Sequence, residues 1–299
     1  MKALTLYLRF TVFLFLCTQA HGQSSRLDLR QSASHASDII LPAKEASLSF
    51  FSRPTLALYK PSGTGPFPAL VLVHQCGGLQ SAASNWQNLS VLFWARAAVD
   101  RGHVVLVLDS LGPRGIDEVC LGPKGGLNWP RGVKDALLAA THLQSLDYVD
   151  RQRVFLLGFS WGGSVGLLAS SKQWVDALSD TAGRFTAVAA LYPRCHGAAT
   201  LSDTFIASDI DRPLLVITAE LDTETPSSEC IGRLEAARQQ GAPVRWHTYG
   251  QATHCWDCRN LDGYSKTVFG RAVSYRYSHE ATHDSVARVF SFFSEVAPR

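Results

Sequence analysis

Ser160 is the residue whose surroundings could most clearly do chemistry. It sits in Gly158-Phe-Ser-Trp-Gly162, a GxSxG pattern directly after the apolar run Val154 to Leu157. A serine between glycines at a strand-to-helix turn can be held in a strained backbone conformation, because Gly158 and Gly162 have no Cβ to collide with neighbouring segments. Its hydroxyl then stands clear of the sheet. The stretch Ser164 to Ala169 behind it reads as a helix, and the positive N-terminal end of that helix favours negative charge beside the serine. A serine hydroxyl is a poor nucleophile at neutral pH; it needs a base to take its proton, and the base needs a carboxylate to fix its tautomer. Asp222, in Glu220-Leu-Asp-Thr-Glu-Thr-Pro226, and His254, in Gln251-Ala-Thr-His254, are the candidate acid and base. Glu220 and Glu224 are rival acids, and His279 and His283, far beyond the last expected strand, are rival bases. Backbone N–H groups of Trp161 and of Gln75 or Cys76, in the turn His74-Gln-Cys-Gly-Gly78, are placed to stabilise an oxyanion.

Three further groups have two readings each. His74 belongs to that turn, where it could brace the loop or line the substrate site. Arg114, in Leu111-Gly-Pro-Arg-Gly115, is either a surface arginine or a fork of donors for a substrate carboxylate. Cys255-Trp-Asp-Cys258 has CxxC spacing, but it opens no helix after a thioredoxin-like strand and has no two further ligands at metal-binding spacing. A short-loop disulfide, or two bridges to other cysteines, fits better. No metal and no organic cofactor is expected.

The elements that must position these groups follow from the apolar periodicity. Strands are expected at Ala46 to Phe51, Thr55 to Tyr59, Ala69 to His74, His103 to Asp109, Val154 to Leu157, Phe185 to Leu191, Pro213 to Thr218 and Val244 to Tyr249. Helices are expected at Asn85 to Arg101, Val133 to Leu146, Pro226 to Gln240 and Asp284 to Val296. Alternating strands and helices predict an α/β fold, with a mostly parallel central sheet covered by helices on both faces. In such a sheet the ligand lies beyond the carboxyl ends of the strands, where His74, Ser160, Asp222 and His254 all fall. The chain order serine, acid, histidine is that of the α/β-hydrolases, not of chymotrypsin-like or subtilisin-like proteases. Gly112 to Pro130 is a loop longer than a connection requires, which suggests a job at the site.

The chain has 299 residues, 46% hydrophobic and 18% charged, with a formal net charge of +3 and no block of consecutive Lys or Arg. That argues for small, pocket-selected substrates and against nucleic acid as a partner. Lys2 and Arg9, the apolar run Phe10 to Cys17, and small residues to Gly22 read as an export signal over 1–22, too short to anchor in a bilayer. Residues 23–45 read as an N-terminal segment, mobile to about Ala36, and 46–299 as a single domain. Six cysteines remain in the mature chain: Cys76, Cys120, Cys195, Cys230, Cys255 and Cys258. An even number in an exported periplasmic or secreted protein suggests disulfides of undetermined pairing. The oligomeric state has no signature.

In order, VLVHQCGGL (71 to 79), LDSLGPRG (108 to 115), GFSWGG (158 to 163), ALYPRC (190 to 195), ITAELDTETP (217 to 226) and ATH (252 to 254) resemble the dienelactone hydrolase family of the α/β-hydrolases. The resemblance runs from about Leu56 to the C-terminus. It implies that Ser160, Asp222 and His254 are nucleophile, acid and base, and that Arg114 contacts a substrate carboxylate. The best known members carry cysteine where this chain has Ser160, and they are cytoplasmic; a serine in an exported chain shifts the expectation from lactones toward ordinary ester hydrolysis. The alternatives are a peptidase or amidase with the same triad, a depolymerase using Trp161 and Trp256 as an aromatic cleft for polymeric esters, and an inactive binding protein on the same fold.

Overall fold

The apolar runs between the glycine-rich turns become the strands of one sheet. The structure, a computed structural model, describes residues 28–81, 84–179, 183–197, 204–268 and 270–297, so the expected export signal at 1–22 lies outside the described residues. The sheet has seven strands in the order β1 (Ala57–Tyr59), β5 (Val104–Leu108), β2 (Phe67–Val73), β6 (Val149–Phe159), β7 (Ala187–Leu191), β8 (Leu214–Ala219) and β9 (Val244–Tyr249). Only β1 runs antiparallel, against β5. Two small antiparallel ribbons stand apart, β3 (Gln80–Ser81) with β4 (Trp86–Gln87), and β10 (Ser265–Val268) with β11 (Arg271–Ser274).

The strands are apolar on both faces because both faces are covered. From β2, Ala69, Val71 and Val73 join a core containing Val133, Leu137 and Val165, which come from α3 (Trp129–Gln144) and α4 (Trp161–Ala169). Leu70 and Leu72 point the other way, into a core with Val91 of α2 (Leu89–Val99) and Val289 and Phe293 of α7 (His279–Val296). A short α5 (Lys172–Leu178) and α6 (Ser228–Gln239) complete the first layer. Helix α1 (28–33) and the chain after it pack on α3: Asn128 donates to Ser32 O at 2.9 Å, Arg131 to Ala33 O at 3.2 Å, and Ala33 is buried. The part of the N-terminal segment from residue 28 is therefore docked, contrary to the expectation that it is mobile.

Other boundaries moved for local reasons. No strand forms at 46–51; Ser49 N–H donates to Ser52 Oγ at 2.8 Å and Ser52 N–H to Ser49 O at 3.1 Å, a serine turn that competes with extended pairing. Helix α2 starts four residues later than periodicity suggested, because Trp86 and Gln87 pair in a ribbon and Asn88 caps the helix by accepting from Val91 N–H. Helix α3 starts inside the expected loop, where Asn128 caps it and Pro130 occupies its first turn. Likewise α7 begins at His279, capped by Ser278.

Register aligns the carboxyl ends of the central strands. Val73 lies beside Leu108 and Gly158, Phe159 beside Leu191, and Ala219 beside Tyr249. The residues that follow each strand thus share one edge. At that edge β6 turns into α4 against β2 with almost no clearance: a Cβ on Gly158 would lie 2.0 Å from Gly162 O, and one on Gly162 would lie 2.2 Å from Val73 O. Gly158→Ala should therefore lose most folding stability, because neither neighbouring backbone can retreat from the sheet. Gly232→Ala, where the added methyl meets nothing within 4 Å on an exposed part of α6, should gain about 0.5–1 kcal/mol. Urea unfolding of both variants checks this, and a Gly158→Ala protein as stable as wild type would contradict the packing.

Candidate active site

Ser160 is the single residue between β6 and α4, held at φ 51° and ψ −111°. A positive φ in a residue with a Cβ is a strained state that persists only where the surroundings impose it. Here the imposed contacts are Ser160 N–H to Leu191 O at 2.9 Å and Gly162 N–H to His74 O at 3.1 Å, which tie the turn to both neighbouring strands. Trp161 is the first residue of α4, so its backbone N–H has no intrahelical acceptor and the helix dipole points its positive end at the serine.

The structure brings Ser160, His254 and Asp222 into one hydrogen-bonded line. Ser160 Oγ lies 3.0 Å from His254 Nε2, and His254 Nδ1 lies 2.7 Å from Asp222 Oδ2. With Nδ1–H donating to the carboxylate, Nε2 is the acceptor for the serine proton. All three are buried. Asp222 is fixed in turn: Oδ1 accepts from Glu224 N–H at 2.9 Å and Thr225 N–H at 2.8 Å, and the Thr225 hydroxyl lies 2.8 Å from Oδ2. Burial opposes charge on His254, but the carboxylates of Asp222 and Glu224 outweigh it and raise its pKa above the ordinary imidazole value. Among the rivals, Glu220 is exposed, while the rings of His279 and His283 pack against each other at a tilt, 4.2 Å apart, in the first turns of α7. The rival that does reach the site is Glu224, with Oε2 3.8 Å from His254 Nε2.

Two cavities meet at Ser160. One, about 120 Å³, is walled mainly by the long loop and the start of α3, including Val119, Leu121, Pro123, Leu127 and Trp129. The other, about 340 Å³, is lined by Trp86, Glu118, Glu224, Tyr264, Lys266 and Tyr275 among others. Cys76 and Ser160 line both. A disulfide joins Cys76 to Cys120, and Val119 N–H donates to Cys76 O at 2.9 Å, so the long loop is pinned to the turn after β2. The Gln75 side chain turns inward: its amide nitrogen lies 3.3 Å from both Ser90 Oγ and Tyr192 Oη, and its carbonyl accepts from Asn88.

Arg114 and His74 are not placed to bind substrate. All five Arg114 N–H donors are used inside the protein: Nε and Nη2 on Ser37 O, Nη1 on Ser110 O, and both Nη atoms on the carboxylate of Asp135 at 2.7 and 2.9 Å. Asp135 also binds Arg131, and all three side chains are buried. The periodicity of α3 did not reveal that an acid on its inner face would capture the loop arginine. His74 is wholly buried; Nδ1–H donates to Gln75 O at 2.6 Å and Nε2 accepts from Ser110 N–H at 3.2 Å. Burial keeps it neutral by driving its pKa below the imidazole value, even with Asp109 3.9 Å away. It braces two loops. Nor do Trp161 and Trp256 form an open aromatic cleft. Trp161 is stacked between His74 and Trp129, and Trp256 is fully buried with Nε1 donating to Ser285 Oγ at 3.0 Å.

The cysteines pair as Cys76–Cys120, Cys195–Cys230 and Cys255–Cys258. The last closes the CxxC directly after His254. Its sulfurs lie with Asp257 in a cluster within 4.8 Å, but they are bonded to each other, and the Asp257 oxygens accept from Trp94 and Tyr192. Sequence reasoning missed Thr225, Lys266 and Tyr275; the alternation Ser265 to Val268, then Gly270, was a hairpin signal that could have located the last two.

A parallel sheet of this order, with a strained serine at the turn after its central strand and a histidine and an acid after later strands, defines an α/β-hydrolase fold. The dienelactone hydrolase family model matches residues 55–297, and the chain belongs to that family. Among curated proteins it is similar to "Esterase FrsA" of Citrobacter koseri, 29% identical over 190 residues, covering 62% of this chain and 39% of that protein. The Salmonella newport protein of the same name is 29% identical over 189 residues with the same coverage. The chain thus spans 39% of the length of these relatives. Among solved structures, a dienelactone hydrolase-like promiscuous phosphotriesterase from metagenomic libraries matches with a TM-score of 0.56 at 18% identity, covering 79% of this chain and 89% of that one. A thermophilic esterase of Thermogutta terrifontis matches at 0.56 and 16% identity, covering 82% and 91%. Dipeptidyl peptidase 4 of Porphyromonas gingivalis matches at 0.56 and 17% identity, covering 80% of this chain and 33% of that one. Among the described residues no helix is long and apolar enough to cross a membrane.

The Arg114 arrangement has a direct consequence. Asp135→Ala leaves two buried guanidinium groups without their shared carboxylate and should cost about 3–5 kcal/mol of stability. Chemical denaturation measures it; a loss below about 1 kcal/mol, as for an exposed ion pair, would show that the cluster is not buried as described.

Proposed function

We propose that this protein is a serine hydrolase that cleaves carboxylic esters through an acyl-enzyme. The observation that carries the reading is the hydrogen-bonded line Ser160–His254–Asp222 beside a cavity on the carboxyl edge of the sheet. In this mechanism His254 Nε2 takes the Ser160 proton as Oγ bonds to the carbonyl carbon and the carbonyl electron pair moves to oxygen. Backbone N–H groups of Trp161 and of Cys76 or Gln75 hold the oxyanion. The intermediate collapses, His254 gives its proton to the departing alcohol, and a water repeats the sequence on the acyl-enzyme. Asp222 keeps Nδ1 protonated and stabilises the imidazolium. No metal or organic cofactor enters any step.

Esters are preferred over amides because the curated relatives are named esterases. A serine nucleophile, with Arg114 engaged by Asp135, favours neutral esters over carboxylate-bearing lactones. We also assign 1–22 to a cleaved export signal and 46–299 to one catalytic domain; three disulfides fit an oxidising compartment.

The first test is labelling of the mature protein by a fluorophosphonate, with Ser160→Ala and His254→Ala beside it, followed by p-nitrophenyl esters and peptide amides. Wild type should label, Ser160→Ala should not, and Asp222→Asn should retain labelling at a rate lower by on the order of 10⁴. Folded wild type that fails to label would sink the mechanism. Only neutral imidazole accepts the serine proton, so kcat/KM should rise with pH through the His254 pKa. Because that pKa is raised, the rise should centre above pH 6.5, the ordinary imidazole value; a centre below it would contradict the carboxylate environment.

A further inference from the structure

Glu224 lies two residues beyond Asp222 yet meets the imidazole of His254 from the other side. Asp222 Oδ2 is 2.7 Å from Nδ1, whereas Glu224 Oε2 is 3.8 Å from Nε2, the nitrogen that faces Ser160. The triad gives this second carboxylate no task. It is not a surface acid either, since its side chain is only 11% exposed and it lines both cavities. Two groups from the β10–β11 ribbon and the residue after it hold it. Tyr275 O–H donates to Oε2, and Lys266 Nζ lies 3.4 Å from Oε1. A turn side chain that only capped its own loop would not need a separate hairpin to fix it.

We propose that Glu224 is an electrostatic partner of His254, a positioning residue that stabilises the imidazolium formed during serine attack. The proposal rests on the hydrolase reading above and adds a residue to it. When Ser160 Oγ bonds to the carbonyl carbon, its proton passes to Nε2 and the carbonyl π pair goes to oxygen. The ring then carries a full positive charge between two carboxylates, Asp222 on the Nδ1 side and Glu224 beside Nε2. That Nε2 proton must next reach the leaving oxygen. A carboxylate at hydrogen-bond distance would compete for it; at 3.8 Å Glu224 contributes its charge without accepting the proton. Tyr275 and Lys266 keep it at that distance.

The other groups facing His254 do not substitute for it. The Thr225 hydroxyl, 3.2 Å from Nδ1, is neutral. The rings of Tyr192 and Tyr275 approach edge-on at 4.9 and 6.1 Å. Asp257 spends its oxygens on Trp94 and Tyr192. Lys266 opposes the imidazolium, so its charge and that of Glu224 act on His254 with opposite sign.

That opposition supplies the test. The His254 ring is titrated by NMR in the full mature chain as wild type, Glu224→Gln and Lys266→Met, and kcat/KM for p-nitrophenyl acetate is measured across pH for the same proteins. Glu224→Gln should lower the His254 midpoint by about one pH unit. It should move the acidic limb of kcat/KM by the same amount and lower the plateau about tenfold. Lys266→Met should move both midpoints upward, and it tests the idea even if Glu224→Gln does not fold. A Glu224→Gln protein with a lower plateau but an unmoved midpoint would make Glu224 a structural prop and overturn the proposal, as would unmoved midpoints in both variants. The titration needs no turnover. Midpoints that move as expected in a protein that hydrolyses nothing would leave the electrostatic pairing standing and remove only the hydrolase reading.

Discussion

The close crossing of β6, α4 and β2 is the constraint from which the rest of the site follows. Ser160 stands at a positive φ because Gly158 and Gly162 allow three backbones to meet without side chains between them. Such strain costs of order 1–3 kcal/mol. It is offset many times over by the strands that impose it, since each fully buried valine or leucine contributes roughly 1.5–3 kcal/mol, and Val71, Val73, Leu156 and Leu157 are all fully buried. Strain at one residue can therefore be held permanently by the sheet. The same crossing brings His74 O onto Gly162 N–H, which ties the turn after β2 to the start of α4.

Charge is distributed around that crossing with a clear division. Below the edge, a buried set of Arg114, Arg131 and Asp135 ties the long loop to α3 and to the N-terminal segment. At the edge, His254 stands between Asp222 and Glu224, and Lys266 pairs with Glu224 behind it. The arginine that family likeness would aim at a substrate carboxylate has thus become part of the scaffold. A buried guanidinium already holding a carboxylate cannot be redirected to a ligand without exposing that carboxylate unpaired, at a cost of several kcal/mol. The long loop keeps its place at the site through the Cys76–Cys120 bridge and its apolar residues.

Much of this was legible in the chain, and the reasons are specific. Val154 to Leu157 followed by GxSxG could hardly be anything but a buried strand ending in a tight turn, because a continuous apolar run must be covered on both faces and glycine marks where backbones approach. Asp222 and His254 were legible because they follow apolar runs of strand length, and register in a parallel sheet carries such residues to one edge. The strand expected at 46–51 does not form because the serine hydroxyls fold Ser49 and Ser52 back on their own backbone. The place of Arg114 is not legible in the chain, because a loop arginine's partner depends on which helix lies beneath the loop.

By itself, then, the sequence determined the layered α/β architecture, the elbow around Ser160 and the order serine, acid, histidine, since each rests on local pattern and on chain order. Only the tertiary structure decided the disulfide pairing, the burial of Arg114, and the meeting of Glu224 with His254 under Tyr275 and Lys266. These are contacts between segments remote along the chain or facing each other across a turn. Their distances are set by how the sheet twists and how its loops pack, and no local pattern encodes them.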